Sequence, residues 1–156
     1  MAENNTGDVR DIGPDGKARL RLERTFKAAP DAVYRAWTEA ETLKRWFSPS
    51  ASIPVVADAD VRVGGRYRIQ MRMPSGDDNI AMGEYQEIIP GRRLVFTFHW
   101  ISTPDRVSLV TLDISPSGTG SRLVFTQERF FDAAARDRHA GGWTSMFDQF
   151  DARIST

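Results

Sequence analysis

Apolar and polar residues alternate along most of the middle of the chain, and this alternation predicts an antiparallel sheet. The clearest stretch is RYRIQMRM at 66–73, where every second residue is apolar and the residues between are arginine or glutamine. The same period of two recurs elsewhere, and the further predicted strands are 18–26, 55–63, 80–89, 94–100, 106–114 and 122–130. One connection, Pro90-Gly91, has the chemistry of a type II turn. The pattern therefore predicts about seven strands, most of them joined as hairpins.

The stretch 30–47 predicts two short helices directly after the first strand. Pro30 is favoured in the first helical turn, where its missing N–H is not needed, and Asp31 is favoured at the positive end of the helix dipole. The second helix starts within TEAETLKRWF, where Thr38 and Glu41 have the spacing of a capping box. The sequence SPS at 48–50 then ends the helical segment.

The C-terminal part of the chain predicts one long helix of about 20 residues that begins at Asp132. Its apolar stripe has helical spacing and consists of Trp143, Phe147, Phe150 and Ile154. Gly141 and Gly142 interrupt this helix, and each costs about 1 kcal/mol relative to alanine. We predict that their missing Cβ atoms let the helix backbone approach the sheet, or bend where the sheet curves.

These elements together predict an α+β fold. A sheet with one apolar face needs a cover, and the C-terminal helix is the only predicted element long enough to provide it. We therefore expect a curved antiparallel sheet wrapped around that helix, with an elongated apolar cavity where the two do not meet. Residues 1–16, which are polar and rich in Gly and Asp, are predicted to form a flexible tail, and residues 17–156 a single domain.

Composition excludes several functional classes. Lys plus Arg and Asp plus Glu each number 21, so the formal net charge is zero and no nucleic-acid partner is expected. The chain has no cysteine, and its two histidines, His99 and His139, are far apart, so neither a metal nor another cofactor is expected. We find no apolar run of roughly 20 residues to span a membrane and no export signal, and we expect a cytoplasmic protein.

Several segments in order resemble one known family. RTFKAAPDAVYRAWTEAETLKRWF, DVRVGGRYRIQM, PGRRLVFTFHW and HAGGW resemble the START-like (SRPBCC) superfamily, and within it the family named after the activator of heat-shock protein 90 ATPase. The resemblance extends over about 18–154. It implies the helix-grip (START-like) fold and a cavity that binds small apolar molecules. One departure is Ser50, which stands where the family usually has glycine after WF-x-P.

The candidate ligand-binding residues are those expected to line the cavity. Most are large, and many are flexible or aromatic, which suits an adaptable apolar site. The apolar candidates are Tyr67, Ile69, Met71, Met82, Phe96, Phe98, Trp100, Trp143 and Phe147.

Two polar residues complete this candidate set. Arg24 interrupts the apolar face of its strand and needs a partner, for which Glu84, Gln127 and Glu128 are candidates. Alternatively, it anchors an anionic or carbonyl group of a ligand. His139 lies one helical turn before Trp143, and is either a hydrogen-bonded packing residue or a polar contact that orients a ligand or moves a proton.

We therefore predict a non-catalytic protein that binds a small hydrophobic or amphipathic ligand between sheet and helix, with no catalytic residue assigned. Two alternatives stay open. The family name implies a co-chaperone-like interaction module acting on heat-shock protein 90. A cyclase- or aromatase-like enzyme is the other, with His139 or Tyr67 moving protons in the same cavity. A homodimer is also left open.

Overall fold

An eight-stranded antiparallel sheet dominates the computed structural model, which describes residues 8–155. The strand order is β1-β2-β8-β7-β6-β5-β4-β3, so β3 to β8 follow one another as a meander and β2 joins the last strand. The strands are β1 (Val9–Ile12), β2 (Ala18–Phe26), β3 (Val55–Ala59), β4 (Arg66–Arg72), β5 (Asp78–Ile89), β6 (Arg93–Trp100), β7 (Ser108–Ser117) and β8 (Gly120–Glu128). The helices are α1 (Pro30–Thr38), α2 (Ala40–Trp46), α3 (Ala133–Asp148) and α4 (Phe150–Ile154). The predicted α+β architecture is thus confirmed.

Local turn chemistry explains how neighbouring strands are joined. In the β5–β6 connection, Gly91 has a φ of 76°, and the Arg92 N–H donates to the Ile89 carbonyl at 2.9 Å. This is the type II turn that the sequence predicts, because only a residue tolerant of positive φ fits its third position.

The capping box predicted for α2 is wrong: Thr38 Oγ1 donates to the Tyr34 carbonyl at 3.0 Å, and Glu39 is the N-cap residue.

Aromatic side chains fill the space between the sheet and the helices. Trp37 of α1 contacts Trp46 of α2 with ring centroids 4.6 Å apart, and Phe125 of β8 contacts Trp143 of α3 at 4.8 Å. Trp46 is fully buried and donates its indole N–H to the Ala36 carbonyl at 2.8 Å. Large rings packed against one another therefore bind α1, α2 and α3 to one face of the sheet.

The first strand was not predicted. β1 pairs with β2 in the register Val9↔Arg21 to Ile12↔Ala18, and the Arg19–Asp11 ion pair, at 2.9 Å, supports the pairing. The expectation of a loose tail is therefore wrong for these residues, while residues 1–7 lie outside the described part of the chain. A short edge strand with both apolar residues largely exposed has no alternation for the sequence to display.

The predicted C-terminal helix starts where expected and is divided near its end. The Asp132 side chain caps α3 by accepting from the Ala135 N–H at 2.8 Å. The helix then ends at Asp148, and Gln149 separates it from the short α4. The break coincides with the contact of the Gln149 side-chain amide with the Pro49 carbonyl at 3.3 Å.

The account predicted for Gly141 and Gly142 is wrong. A Cβ atom built at either residue meets no heavy atom within 4 Å, and both residues are exposed on a continuous α3. Neither glycine therefore serves a close approach of the helix to the sheet. A close approach does occur at Gly83 of β5, where a Cβ atom would overlap the Thr97 carbonyl oxygen of β6.

Candidate ligand-binding cleft

The centre of the core is closely filled. The void there measures about 10 Å³ and is lined by Trp37, Leu43, Phe47, Tyr67, Ile69, Tyr85, Phe96 and Phe98. That volume is at most the room of a single water molecule. The elongated cavity predicted between sheet and helix is therefore replaced, in its central part, by packed aromatic side chains.

Open space lies instead along one side of α3 between Arg138 and Met146, in a cleft of about 240 Å³. The cleft lies between α3, the ends of β4, β5 and β6, and the loop that follows α2. We call it the α3 cleft, and its lining residues are Phe47, Pro49, Met71, Asn79, Phe98, Trp100, Arg138, His139, Gly142, Trp143 and Met146. Its walls are mostly apolar, with polar groups from Asn79, Arg138 and His139.

One side of α3 supplies nearly half of this lining. Arg138, Gly142 and Met146 follow one another at intervals of four, and His139 and Trp143 run beside them with the same interval. Residues at this spacing share a helix face. The sequence contains this signal too. The predicted stripe, however, runs through Trp143 and Phe147, and Phe147 belongs to the deeper core.

His139 is held by both of its ring nitrogens. Nε2 lies 3.1 Å from Trp100 Nε1, and Nδ1 lies 2.9 Å from the Ala135 carbonyl oxygen. Because an indole N–H can only donate, Nε2 accepts and Nδ1 carries the proton. Burial lowers the pKa of His139, the hydrogen bond to Ala135 opposes this, and the charge of Arg138 adds to the lowering. His139 is thus a neutral bridge between α3 and β6.

A second cleft of about 220 Å³ adjoins the first. We call it the outer cleft; it shares part of its lining with the α3 cleft, namely Phe98, Trp100, Arg138 and His139. Its other lining residues are His99, Ser102, Thr103, Arg106, Ser108, Phe130, Phe131 and Ala135. The hydrogen-bonded Trp100–His139 pair belongs to both linings and separates the two spaces.

The structure brings together only part of the predicted set. Met71, Phe98, Trp100, His139 and Trp143 meet in the α3 cleft. The others lie elsewhere, and among the residues that sequence reasoning missed are Phe47, Pro49, Asn79, Arg138, Gly142 and Met146. Asn79 was missed because the strand predicted from the sequence starts at residue 80, whereas β5 already begins at Asp78.

Four predicted lining residues lie around the central void or in the core. Ile69 and Phe96 line the void, as does Tyr67, whose hydroxyl donates to the Thr97 carbonyl at 2.6 Å. Burial raises the pKa of Tyr67 well above its ordinary value, so the hydroxyl stays protonated. Phe147 packs in the core against Phe125, with ring centroids 5.5 Å apart.

Met82 lies on the opposite face of the sheet from the predicted cavity. Ala81 and Tyr85 are buried on the inner face of β5, so Met82, which alternates with them, faces the outer side of the sheet. Its cross-strand partner there is His99. The segment 80–89 has apolar residues on both faces, so its pattern does not identify the face that points inward. The prediction that Met82 lines the cavity is wrong.

Arg24 is buried as predicted, but its observed partner is different. Its guanidinium forms an ion pair with Asp8 at 2.7 Å and donates to the Glu23 carbonyl at 2.8 Å. Asp8 was not considered because it was assigned to the loose tail. Arg24 lines neither cleft, so a ligand in either space does not contact it.

Two further features of residues 8–155 concern metal binding and membrane spans. No group of three His, Cys, Asp or Glu side chains in this range stands close enough together to hold a metal ion. Within the same range, no helix has the length and apolar character required to cross a membrane.

Fold and sequence together define the class of this protein. A curved antiparallel sheet gripping a C-terminal helix is the helix-grip fold of START-like proteins. The chain belongs to the family described as Activator of Hsp90 ATPase homolog 1-like protein, whose sequence model matches residues 27–155. The predicted family is therefore confirmed.

Solved structures of similar proteins agree. A protein from Chromobacterium violaceum is 28% identical with a TM-score of 0.77, and the match covers 88% of this chain and 97% of that chain. A Silicibacter pomeroyi protein named for the same family (AHSA1) is also 28% identical, with a TM-score of 0.75 and the same coverage. A Rhodobacter sphaeroides protein, 24% identical over 94% of this chain and 98% of that chain, has a TM-score of 0.78 and shows the fold alone. No curated protein matches the chain.

Proposed function

We propose that this protein binds a small hydrophobic or amphipathic molecule in the α3 cleft without transforming it. The observation that carries the proposal is a cleft of about 240 Å³ with apolar walls beside an otherwise filled core. Pockets that bind small molecules have this character, with mostly apolar walls and a few polar groups. Met71 and Met146 add side chains that adapt to different ligand shapes.

The volume of the cleft limits the size of the ligand. An apolar protein cavity of about 150 Å³ accommodates benzene. By the same packing, a cleft of about 240 Å³ takes roughly ten non-hydrogen atoms. The expected ligand is therefore a single ring with a short side chain, or an aliphatic chain of similar size.

The hydrogen bonds of His139 and Tyr67 favour binding over catalysis. Both nitrogens of His139 are engaged by protein groups, and the Tyr67 hydroxyl donates to a backbone carbonyl away from the cleft. A general acid or base must reach the proton that it transfers. Neither residue has a free atom directed at a ligand, so the cyclase- or aromatase-like alternative has less support.

A pair of matched variants tests the site. Gly142 lines the α3 cleft and Gly141 does not, and a side chain added at either residue first enters open space. We expect Gly142→Leu to fill the cleft and abolish binding of small aromatic or aliphatic molecules, and Gly141→Leu to bind them as the wild type does. Thermal shift and native mass spectrometry of all three proteins measure this.

The proposal fails if no small molecule binds the wild type, or if both leucine variants bind equally well.

The family description also names an activator of the Hsp90 ATPase, and a chaperone interaction is the alternative. Adding the purified protein to Hsp90 and measuring ATP hydrolysis distinguishes the two. A stimulated ATPase rate that Gly142→Leu leaves unchanged would support the alternative.

A further inference from the structure

We propose that the ligand of the α3 cleft carries a carboxylate or a similar anionic group, which pairs with Arg138 at the rim while an aromatic body occupies the apolar part. This inference rests on the proposed function and adds the chemical class of the ligand.

Arg138 is an exposed arginine at the junction of the two clefts, and it has no partner among residues 8–155. It lines both the α3 cleft and the outer cleft. Among residues 8–155, no side chain or carbonyl forms an ion pair or a hydrogen bond with its guanidinium. Arg136, two residues earlier, donates to Asp137 and to the Asp11 carbonyl. The Arg138 guanidinium is thus available to a ligand.

The charges around the clefts favour an anion. Within the described range 8–155, no aspartate or glutamate lines either cleft. Arg106, which lines the outer cleft, adds a second positive charge and lies with its guanidinium carbon 3.8 Å from the centroid of the Phe131 ring. His139 is neutral and has no free nitrogen. A guanidinium that no neighbouring carboxylate neutralises attracts carboxylate ligands and repels cations.

The rest of the cleft recognises an apolar body. Met71, Phe98, Trp143 and Met146 form walls that are all buried in the folded chain. Phe98 and Trp143 already meet with ring centroids 5.8 Å apart, and an aromatic ligand can add edge or face contacts to them. At roughly ten non-hydrogen atoms, the space fits an arylalkanoic acid and excludes a whole phospholipid.

The test compares 3-phenylpropanoate with 3-phenylpropanamide, which share size and shape but differ in charge. Dissociation constants are measured by NMR titration of the wild type, of Arg138→Gln, and of Arg66→Gln. Arg66 is a suitable control because it is exposed on β4, away from the linings of both clefts. The indole signals of Trp100 and Trp143 report whether the probe binds in the α3 cleft.

We expect the wild type to bind the acid about three- to tenfold more tightly than the amide, as one exposed ion pair allows. Arg138→Gln should remove this preference by weakening the acid alone, and Arg66→Gln should keep it. Added salt should weaken the acid and leave the amide unchanged.

The outcomes separate the two proposals. If acid and amide bind the wild type equally, or if Arg138→Gln leaves the affinity for the acid unchanged, the anionic ligand is wrong and the binding cleft stands. If neither probe shifts the signals of Trp100 or Trp143 in the wild type, both the cleft as a binding site and its proposed ligand class are refuted.

Discussion

The role of His139 is set by the hydrogen-bond partners of its two ring nitrogens. In solution an imidazole is a proton carrier near neutral pH. Here Nδ1–H donates to the Ala135 carbonyl and Nε2 accepts from Trp100, so the ring serves as a neutral link between helix and sheet. Protonating Nε2 would set two N–H groups against each other and place a charge in a largely buried site. The link therefore depends on pH.

The stability of the fold should reflect this dependence. Burial holds the pKa of His139 below its ordinary value of 6.5, so the unfolded chain takes up this proton first as the pH falls. Its contribution to stability is therefore present above about pH 6.5 and is lost progressively below it. We expect His139→Gln, which does not titrate, to lose less unfolding free energy than the wild type between about pH 7 and about pH 5. Urea unfolding at both pH values measures the difference.

His99 provides the control for that experiment. It lies on the outer face of β6 opposite Met82, and His99→Gln should retain the pH dependence of the wild type. If the wild type and His139→Gln lost equal stability over this range, His139 would not be the group responsible.

Among the secondary-structure elements, α3 shows how a glycine can be tolerated without a packing reason. Gly141 and Gly142 lower the helix propensity of α3, and open space surrounds the positions of their absent Cβ atoms. For Gly142 that space belongs to the α3 cleft, so the absence of a side chain keeps the cleft open. The structure offers no corresponding reason for Gly141.

Replacing these glycines should stabilise the protein. Gly141→Ala and Gly142→Ala should each raise the free energy of unfolding by about 1 kcal/mol, because alanine favours the helical backbone and no neighbour must move. Chemical denaturation measures both. A loss of stability in either variant would restore the account in which α3 needs a close approach at that residue.

The opposite result is expected for Gly83 in β5. A Cβ atom at this residue would overlap the Thr97 carbonyl oxygen and lie 2.6 Å from the Tyr67 hydroxyl oxygen, which itself donates to that carbonyl. Gly83→Ala should therefore cost about 3 kcal/mol or more, since backbone atoms cannot yield as a flexible side chain can. Gly141→Ala is the matched control, and equal stabilities of the two variants would contradict the packing described.

Across the whole molecule, the short α4 connects distant parts of the chain. The Asp151 carboxylate accepts from the N–H groups of Lys27 and Ala28 at 2.8 and 3.2 Å, just after β2. Arg153 donates to the carbonyl and hydroxyl oxygens of the buried Ser48, after α2, at 2.6 and 2.7 Å. The C-terminal segment thus holds the loops at both ends of the α1–α2 unit.

Removing this connection should weaken the fold. Arg153→Met keeps most of the apolar side-chain length and leaves the buried Ser48 oxygens without their donor, so a loss of about 2 kcal/mol in unfolding free energy is expected. Ser48→Ala should cost less, because the carbonyl contact remains. Arg45→Met, at an exposed residue of α2, is the control and should stay within about 0.5 kcal/mol of the wild type. If Arg153→Met behaves like this control, α4 does not stabilise the fold in this way.

Features that depend on neighbours along the chain could be predicted from the amino-acid sequence. Alternation over 66–72 predicted a strand, Pro90-Gly91 predicted a turn between strands, and Asp132 predicted the start of α3. Each of these features depends on local backbone geometry. The family resemblance added the helix-grip fold. These predictions survived because short-range preferences and the apolar pattern agree with the folded structure.

Features that depend on contacts between residues distant in sequence became visible in the folded structure. Sheet register, which single segments do not encode, determines three of them. These are the face occupied by Met82, the pairing of Arg24 with Asp8, and the strand at 9–12. The α3 cleft exists because aromatic side chains fill the centre of the core and leave one side of α3, between Arg138 and Met146, uncovered. Arg138 is available there because no acidic side chain of the described fold reaches it, and that follows from where every neighbouring element ends.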